Sequence, residues 1–199
     1  MKNTNRIGIG FIGGGFITRF HIKSLIGVRD CDVIGVMSKT RSSADESCAL
    51  SKELGVGEAK PYNSVTDMVS DPAINALWIC APNFTRLEIM EEIVNAIESG
   101  KGELIGIACE KPLGRNVKEA KQMLALAKKV DLLDGYLENQ VFAPSVTKGK
   151  EIIWERGAST TGRPYLARAS EEHSGPHMPW FWEGELQGGG VLNDMMCHS

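Results

Sequence analysis

Three polar side chains, Lys111, Asp194 and His198, have the types and the spacing of an acid–base site. Lys111 belongs to the tripeptide Glu110-Lys111-Pro112, which directly follows the apolar run 104–109. A lysine there can hydrogen-bond a hydroxyl group and favour loss of its proton. Asp194 and His198 are four residues apart, so on a continuous helix they share a face, one turn from each other. A carboxylate that orients an imidazole makes a useful acid–base pair near neutral pH. Together these residues predict proton transfer to or from a hydroxyl group.

Each of these signals also has a purely structural interpretation. Lys111 could be a charged strand end, and an Asp/His pair at this spacing could be a surface contact. The glycine run 188–190 favours the functional interpretation of the pair, because it allows close packing or substrate approach where the helix begins. Pro112 restricts the backbone of Lys111 to extended conformations, which helps to hold that side chain in place.

A glycine-rich turn near the start of the chain predicts a dinucleotide site. The apolar run Ile7–Ile12 leads directly into Gly13, Gly14 and Gly15, followed by Phe16 and Ile17. Gly13 would permit a tight turn and Gly15 the close approach of a pyrophosphate, which the N–H groups of the following helix would bind. Thr18 takes the third small position of this pattern and is slightly bulky for close helix–strand packing. The alternative is an ordinary strand-to-helix turn.

The end of the second apolar run bears on the choice of dinucleotide. NAD-binding folds usually place a carboxylate there to bind the ribose 2′-hydroxyl, whereas this chain has Ser38, Lys39, Thr40 and Arg41. A hydroxyl and two cations suit a 2′-phosphate. The sequence therefore favours NADP as the cofactor and leaves NAD open, and a solvated loop is the alternative interpretation.

Apolar runs that alternate with amphipathic segments predict the elements that position these residues. The apolar runs have the lengths of buried parallel strands and cover residues 7–12, 32–37, 76–80, 104–109 and 132–136. Helical periodicity places Leu87, Met90, Val94 and Ile97 on one face, and Val117, Ala120, Leu124 and Ala127 on another. Asn116 and Glu119 suggest a capping box, and Ser42 could cap a third helix that ends at Gly55. This alternation predicts an α/β, doubly wound parallel sheet. Beyond residue 137 the pattern predicts a helix over 142–156, a strand over 163–172 and a loop over 173–190.

Composition limits the class of protein. The net charge of −3 with interleaved signs favours neither nucleic acid nor an anionic membrane as a partner. We expect no membrane span and no signal peptide, since the apolar runs are strand-sized and broken by glycine. Five scattered cysteines favour reduced thiols and a cytoplasmic protein. We expect no metal site, because the one suggestive pair, His173 and His177, flanks Ser-Gly-Pro and has no further ligand cluster nearby.

Taken in order, the glycine turn, Glu110-Lys111-Pro112 and the segment 188–198 resemble the Gfo/Idh/MocA oxidoreductases. The likeness covers nearly the whole chain and includes Ala81-Pro82-Asn83. It implies a Rossmann NAD(P)-binding domain over residues 1–136, and over 137–199 the start of a second α/β domain with a mostly antiparallel sheet. It implies sugar, inositol or polyol substrates and a homo-oligomer in the full-length protein. The residues implied for catalysis are Lys111, Asp194 and His198, with His198 exchanging the hydroxyl proton; those implied for cofactor binding include Ala81, Pro82, Asn83, Glu110 and Lys111.

The chain departs from the family pattern at three positions. Thr18 replaces a glycine or alanine, Arg86 stands where histidine is usual, and Met196 stands where glycine is usual. None of these replaces a catalytic residue. Because family members continue well past the catalytic histidine, we expect the 199 residues to be a piece of a longer protein or a shortened relative. The rival to an enzyme is a non-catalytic dinucleotide-binding relative that acts as a sensor or partner.

Overall fold

The computed structural model describes residues 6–198 and shows a six-stranded parallel sheet with helices on both faces. The strands are β1 Ile7–Ile12, β2 Cys31–Met37, β3 Lys60–Tyr62, β4 Ala76–Ile79, β5 Gly106–Glu110 and β6 Leu133–Leu137. The helices that alternate with them are α1 Phe16–Ser24, α2 Arg41–Glu53, α3 Val65–Ser70, α4 Arg86–Glu98 and α5 Val117–Lys129. The predicted α/β class and the predicted doubly wound sheet are confirmed.

The strand order β3-β2-β1-β4-β5-β6 places a switch point between β1 and β4. The chain first builds the sheet outward from β1 through β2 and β3, then crosses over and builds the other half from β4. In open parallel sheets a ligand crevice lies at such a point, outside the carboxyl ends of the strands. The glycine turn after β1 and the segment after β4 therefore lie side by side at the position where a dinucleotide is expected.

Two apolar clusters cover the faces of the sheet. One joins the strands to α3, α4 and α5 and contains Ile74, Leu77, Met90, Ile93 and Met123. The other lies under α1 and α2 and contains Ile9, Phe11, Ile22, Val33 and Val36. Burial on both faces explains why the central strands β1 and β4 are apolar runs.

The edge strand β3 was missed by the sequence analysis. It is three residues long, Lys-Pro-Tyr, and pairs with Gly35–Met37 of β2. Its composition carries no apolar run, and proline is tolerated in a strand at a sheet edge.

The predicted helix ends are partly confirmed. Gly55 ends α2 with a φ of +66°, and the Asn116 side chain accepts from the N–H of Glu119 at 3.0 Å. Glu119 reaches back one residue beyond the capping-box position, to the N–H of Arg115 at 2.8 Å. The expectation that Ser42 caps α2 is wrong: the helix begins at Arg41, so Ser42 lies in its first turn, and Thr40 takes the cap position without a side-chain hydrogen bond.

The part of the described chain that follows β6, about a third of it, lies outside the sheet. A helical stretch runs through α6 Pro144–Lys150, a π-helical turn Glu151–Gly157 and α7 Ala158–Thr161. Two short helices follow, α8 Gly184–Gln187 and α9 Gly190–Asp194, with 3₁₀ turns at Pro179–Trp182 and Met196–His198. No helix within residues 6–198 is long and apolar enough to cross a membrane.

The predicted strand over 163–172 is wrong: these residues have no regular structure. A strand needs a neighbour for its backbone hydrogen bonds, and none of the strands in residues 6–198 pairs with this segment. The predicted loop over 173–190 is interrupted by the turn at Pro179–Trp182 and by α8.

Candidate active site

The glycine turn has the geometry of an open phosphate cradle. Gly13 has a φ of +106°, and a Cβ there would lie 2.8 Å from the backbone nitrogen of Ala81, so no larger residue fits. Its N–H donates to the Met37 carbonyl at 2.7 Å, which fixes the turn against the end of β2. Gly15 differs: a Cβ there would meet no atom within 4 Å.

The first turn of α1 supplies the donors for such a cradle. Gly15 is the N-cap residue, and no side chain caps the helix. The backbone N–H groups at Phe16 and Ile17 belong to the first turn, whose partial positive charge favours an anion. An open glycine in front of an uncapped helix fits the pyrophosphate of a dinucleotide.

Thr18 is accommodated by a hydrogen bond. Its side chain is fully buried, and the hydroxyl donates to the carbonyl of Gly13 at 2.5 Å. Thr18 is larger than the glycine or alanine that is usual at this position, and its side chain adds a polar contact that stabilises the turn.

Ser38 and Lys39 lie on the loop that follows β2, and Arg41 is the first residue of α2. The guanidinium of Arg41 is engaged on its own helix, where Nε donates to Asp45 at 3.0 Å, and it also donates to Asn63 at 3.2 Å. These contacts are largely exposed, and exposed ion pairs contribute little. The structure places the three residues at the end of β2 as expected, with Arg41 held by a partner that a phosphate could replace.

The segment that follows β4 links the glycine turn, where a dinucleotide is expected, to helix α8. Ala81 and Pro82 lead into Asn83, which is 2% exposed and donates through Nδ2 to the carbonyl of Gln187 at 2.8 Å. Its Oδ1 is buried and has no partner among the described residues. Such an atom is costly to leave unpaired, so Asn83 has one acceptor available for a bound group.

Arg86 stabilises the loop that carries Lys111. Its guanidinium is buried, donates to the carbonyl of Ala81 at 2.8 Å, and also contacts the carbonyls of Glu110 and Pro112. The residue that departs from the family pattern thus ties the ends of β4 and β5 together through three backbone acceptors.

Glu110 is engaged inside the protein at both of its oxygens. Oε1 lies 2.7 Å from Nε2 of His21 on α1, and Oε2 accepts from the N–H of Lys111 at 3.0 Å. The sequence analysis assigned Glu110 to cofactor binding and did not single out His21. The contacts make Glu110 an internal support for Lys111.

Lys111 and Asp194 are brought together, although 83 residues separate them in the chain. The ammonium lies 3.0 Å from Oδ1 of Asp194 and 3.0 Å from its carbonyl oxygen. Nε2 of His173 lies 3.9 Å from the other carboxylate oxygen, Oδ2. Asp194 therefore stands between a lysine and a histidine at the edge of the crevice.

His198 pairs with Glu138, and this corrects the expectation that Asp194 orients it. The ring Nδ1 contacts Oε1 of Glu138 in a nearly buried pair. Helix α9 ends at Asp194 and a 3₁₀ turn carries Met196–His198, so the two residues do not share one continuous helix. The sequence analysis missed Glu138, since no local spacing connects it to a residue 60 positions away.

The glycine run 188–190 is held by Gln187. The buried amide of Gln187 accepts from the N–H of Gly189 at 2.8 Å and contacts Gly190. Gly188 has a φ of +94°, and a Cβ there would lie 2.3 Å from the carbonyl of Arg115. The run thus packs its backbone against the loop before α5, which sets the position of α9 and of Asp194. Within residues 6–198 no group of three or more metal-binding side chains is found.

Comparison with known proteins adds a family and relatives of known activity. The model of an oxidoreductase family with an NAD-binding Rossmann fold, Gfo/Idh/MocA, matches residues 7–133. A 1,5-anhydro-D-fructose reductase of Ensifer adhaerens is 29% identical over 95% of this chain and 53% of its own length. A myo-inositol 2-dehydrogenase of Thermotoga maritima is 28% identical over 96% and 52%. The chain thus spans about half the length of these relatives.

Two solved structures share the fold. GenD2 from gentamicin A biosynthesis, in complex with NAD, is 22% identical, with a TM-score of 0.76 over 100% of this chain and 52% of its own. A levoglucosan dehydrogenase in complex with NADH is 25% identical, with a TM-score of 0.71 over 97% of this chain and 52% of its own.

Proposed function

The chain belongs to the Gfo/Idh/MocA oxidoreductase family, which has an NAD-binding Rossmann fold, and on that basis we propose that the complete protein is an NAD(P)-dependent dehydrogenase or reductase. Its substrate class is a sugar, an inositol or a related polyol or keto-sugar. The observation that carries this proposal is the meeting of Lys111 and Asp194 beyond the carboxyl end of β5, with His198 four residues further along the chain.

His198 and Lys111 have different roles in the transfer of the substrate hydroxyl proton. When bound, the nicotinamide accepts or donates a hydride at its C4. His198 takes the proton of the substrate hydroxyl during oxidation and returns it during reduction. Lys111 donates a hydrogen bond to the same substrate oxygen: an ammonium has three N–H donors, and within residues 6–198 two acceptors, both on Asp194, engage them.

The cofactor contacts follow from the cradle. Backbone N–H groups of Gly15, Phe16 and Ile17 would hold the pyrophosphate, and Asn83 would accept a hydrogen bond through Oδ1. Ala81 and Pro82 lie beside the turn because Gly13 packs against the backbone of Ala81.

We propose that NADP(H) binds more tightly than NAD(H). Ser38, Lys39 and Arg41 follow β2 where a carboxylate is expected in an NAD-binding protein. Calorimetric titration of both cofactors measures the preference. Arg41→Ala should reduce the affinity for NADP(H) and leave that for NAD(H) unchanged. Equal or NAD-favouring affinity in the unaltered protein would contradict the proposal.

The activity itself is tested by following nicotinamide absorbance over a panel of sugars, inositols and polyols. The complete protein should turn over at least one of them. The 199-residue chain should be a poor enzyme, because it supplies only part of the proposed substrate domain. Tight dinucleotide binding by the complete protein without turnover would favour the rival, a non-catalytic sensor or partner protein.

The remaining features of the proposal concern organisation and location. We propose that residues 1–136 form the nucleotide-binding domain, that residues 137–199 begin the substrate domain, and that the complete protein is a homo-oligomer. The free cysteines, three of them buried, support a location in the reducing cytoplasm.

A further inference from the structure

Glu138 is a buried carboxylate in a fixed orientation. It follows β6 directly and is 5% exposed. Oε1 accepts from the N–H of Gln140 at 3.1 Å and Oε2 from the N–H of Val141 at 3.0 Å. The hydrogen bonds from these two neighbouring backbone N–H groups fix the orientation of the carboxylate. In that orientation Oε1 also contacts Nδ1 of His198.

The charge on Glu138 follows from these partners. Burial by itself would raise the pKa of Glu138, but the N–H of Gln140, the ring of His198 and the N–H of Val141 together lower that pKa below its ordinary value. The carboxylate is therefore ionised near neutral pH and can only accept hydrogen bonds. Nδ1 of His198 must then carry a proton, which leaves Nε2 as the nitrogen without one in the neutral ring.

We propose that Glu138 is the positioning residue of His198: it holds the ring in the Nδ1–H tautomer, so that Nε2 exchanges the proton of the substrate hydroxyl. The inference rests on the proposed function and deepens it. It gives Glu138 the role that the sequence spacing suggested for Asp194, while Asp194 is committed to Lys111. A carboxylate that fixes the tautomer of an imidazole is a general device of acid–base sites.

The other titratable and charged groups around the pair do not replace Glu138 as the partner of the ring. Lys111, which follows β5, is paired with Asp194, and His173 also approaches that carboxylate. Tyr136 lies on β6, where burial raises its pKa to about 12. Cys197 lies close to Glu138, and burial raises the pKa of its thiol. Glu171 accepts a hydrogen bond from the side chain of Gln140 and so is engaged away from the ring.

The first test needs neither cofactor nor substrate. Comparison with His198→Ala identifies the ring signals of His198 in nitrogen NMR spectra of the complete protein. We expect the Nδ1–H tautomer in the unaltered protein and its loss in Glu138→Ala. An Nε2–H tautomer in the unaltered protein, or an unchanged tautomer in Glu138→Ala, would overturn the inference.

The second test is the turnover of a variant without the charge. Glu138→Gln keeps the size of the side chain and removes its charge, so the Nδ1–H tautomer of His198 is less strongly favoured. We expect kcat for hydroxyl oxidation to fall roughly 10- to 100-fold. The matched control is Glu119→Gln, since Glu119 is a buried carboxylate that also binds a backbone N–H but lies at the start of α5. The control should leave kcat unchanged.

A double-variant cycle separates a positioning role from a structural one. If Glu138 acts through His198, then Glu138→Gln should cost nothing further in kcat once His198→Ala is present. Additive losses would show that Glu138 only supports the turn at Gln140–Phe142, and would overturn the inference. If the tautomer is as expected but no dehydrogenase activity is found, the proposed function fails and the pairing stands.

Discussion

The sheet region and the last third of the chain position the candidate site by different means. Residues up to Leu137 form six strands with two apolar clusters, whereas the following residues leave large apolar side chains exposed, with Tyr165 at 99% and Trp182 at 78%. The second region nevertheless supplies Asp194 and His198. Apolar packing therefore positions half of the site, and a small number of polar contacts attaches the other half.

Those contacts come from residues distant in the chain. Asn83 and Arg115 donate to carbonyls of α8, at Gln187 and Glu185 respectively. Lys111 binds Asp194, and Glu138 binds His198. Each hydrogen bond contributes about 1 kcal/mol net, so the attachment is weaker than the sheet and more easily altered without unfolding it.

The largest effect that separates the regions is expected for His198→Ala. Loss of an acid–base group costs about 10²–10⁴-fold in rate, so kcat of the complete protein should fall by that factor. Dinucleotide affinity should be nearly unchanged, because the cradle is on the sheet. Steady-state kinetics with calorimetric titration measures both. Near-normal turnover across the pH range would exclude His198 and make Lys111 the leading candidate.

Two glycine variants distinguish a structural role from a binding role within the cradle. Gly13→Ala should destabilise the protein by about 3 kcal/mol or more, since φ is +106° and the added Cβ would lie 2.8 Å from backbone. Gly15→Ala should fold normally, because a Cβ there meets no atom within 4 Å, and should weaken dinucleotide binding about tenfold or more by filling the cradle. Thermal unfolding and calorimetry distinguish the two effects. Normal dinucleotide affinity in Gly15→Ala would contradict the assignment.

A pH-dependent contribution is expected from Asp71 in the sheet region. Hydrogen bonds from Lys60 at 2.8 Å and Tyr62 at 2.6 Å lower the pKa of Asp71 to about 2. Because the folded pKa is below the unfolded value, this stability is present above about pH 4 and is lost as the pH falls toward 2. Asp71→Asn should therefore cost about 1–2 kcal/mol at neutral pH, and the difference should narrow in acid.

Urea unfolding at several pH values measures the effect of Asp71→Asn. Asp32→Asn is the matched control, since Asp32 pairs with Arg6 in an exposed contact that should contribute less than about 1 kcal/mol. A cost for Asp71→Asn that does not change with pH would refute the charge-based explanation.

The smallest effect is expected where the two regions join. Asn83→Ala removes the donor to the Gln187 carbonyl, which keeps a second donor, Nδ2 of Asn193, at 2.9 Å. Global stability should fall by only about 1 kcal/mol, while hydrogen exchange in 184–198 should accelerate relative to the strands. Uniform acceleration over the whole chain would show that the two regions unfold as one unit.

The difference between the two regions also explains which elements could be predicted from the sequence. The strands at 7–12 and 76–79 are apolar because both of their faces are covered, so composition alone located them. Strand β3 was missed because Lys-Pro-Tyr at an edge has no such signature, and 163–172 was wrongly assigned because β-forming residues alone do not supply a pairing strand. Lys111 was singled out from its place after a strand end, and its catalytic role stays a prediction. Glu138 was not singled out, because its contact with His198 depends on the three-dimensional path of the chain.

The order of strands has a consequence for how the protein is made. The sheet extends from β1 to β2 and β3, and then from β1 to β4, β5 and β6, so each new strand joins an edge that has already left the ribosome. All six strands have been synthesised by Leu137, before Asp194 and His198 are translated. Since domains generally fold as units during synthesis, N-terminal first, the nascent chain can close its Rossmann fold before the proposed acid–base residues have been added.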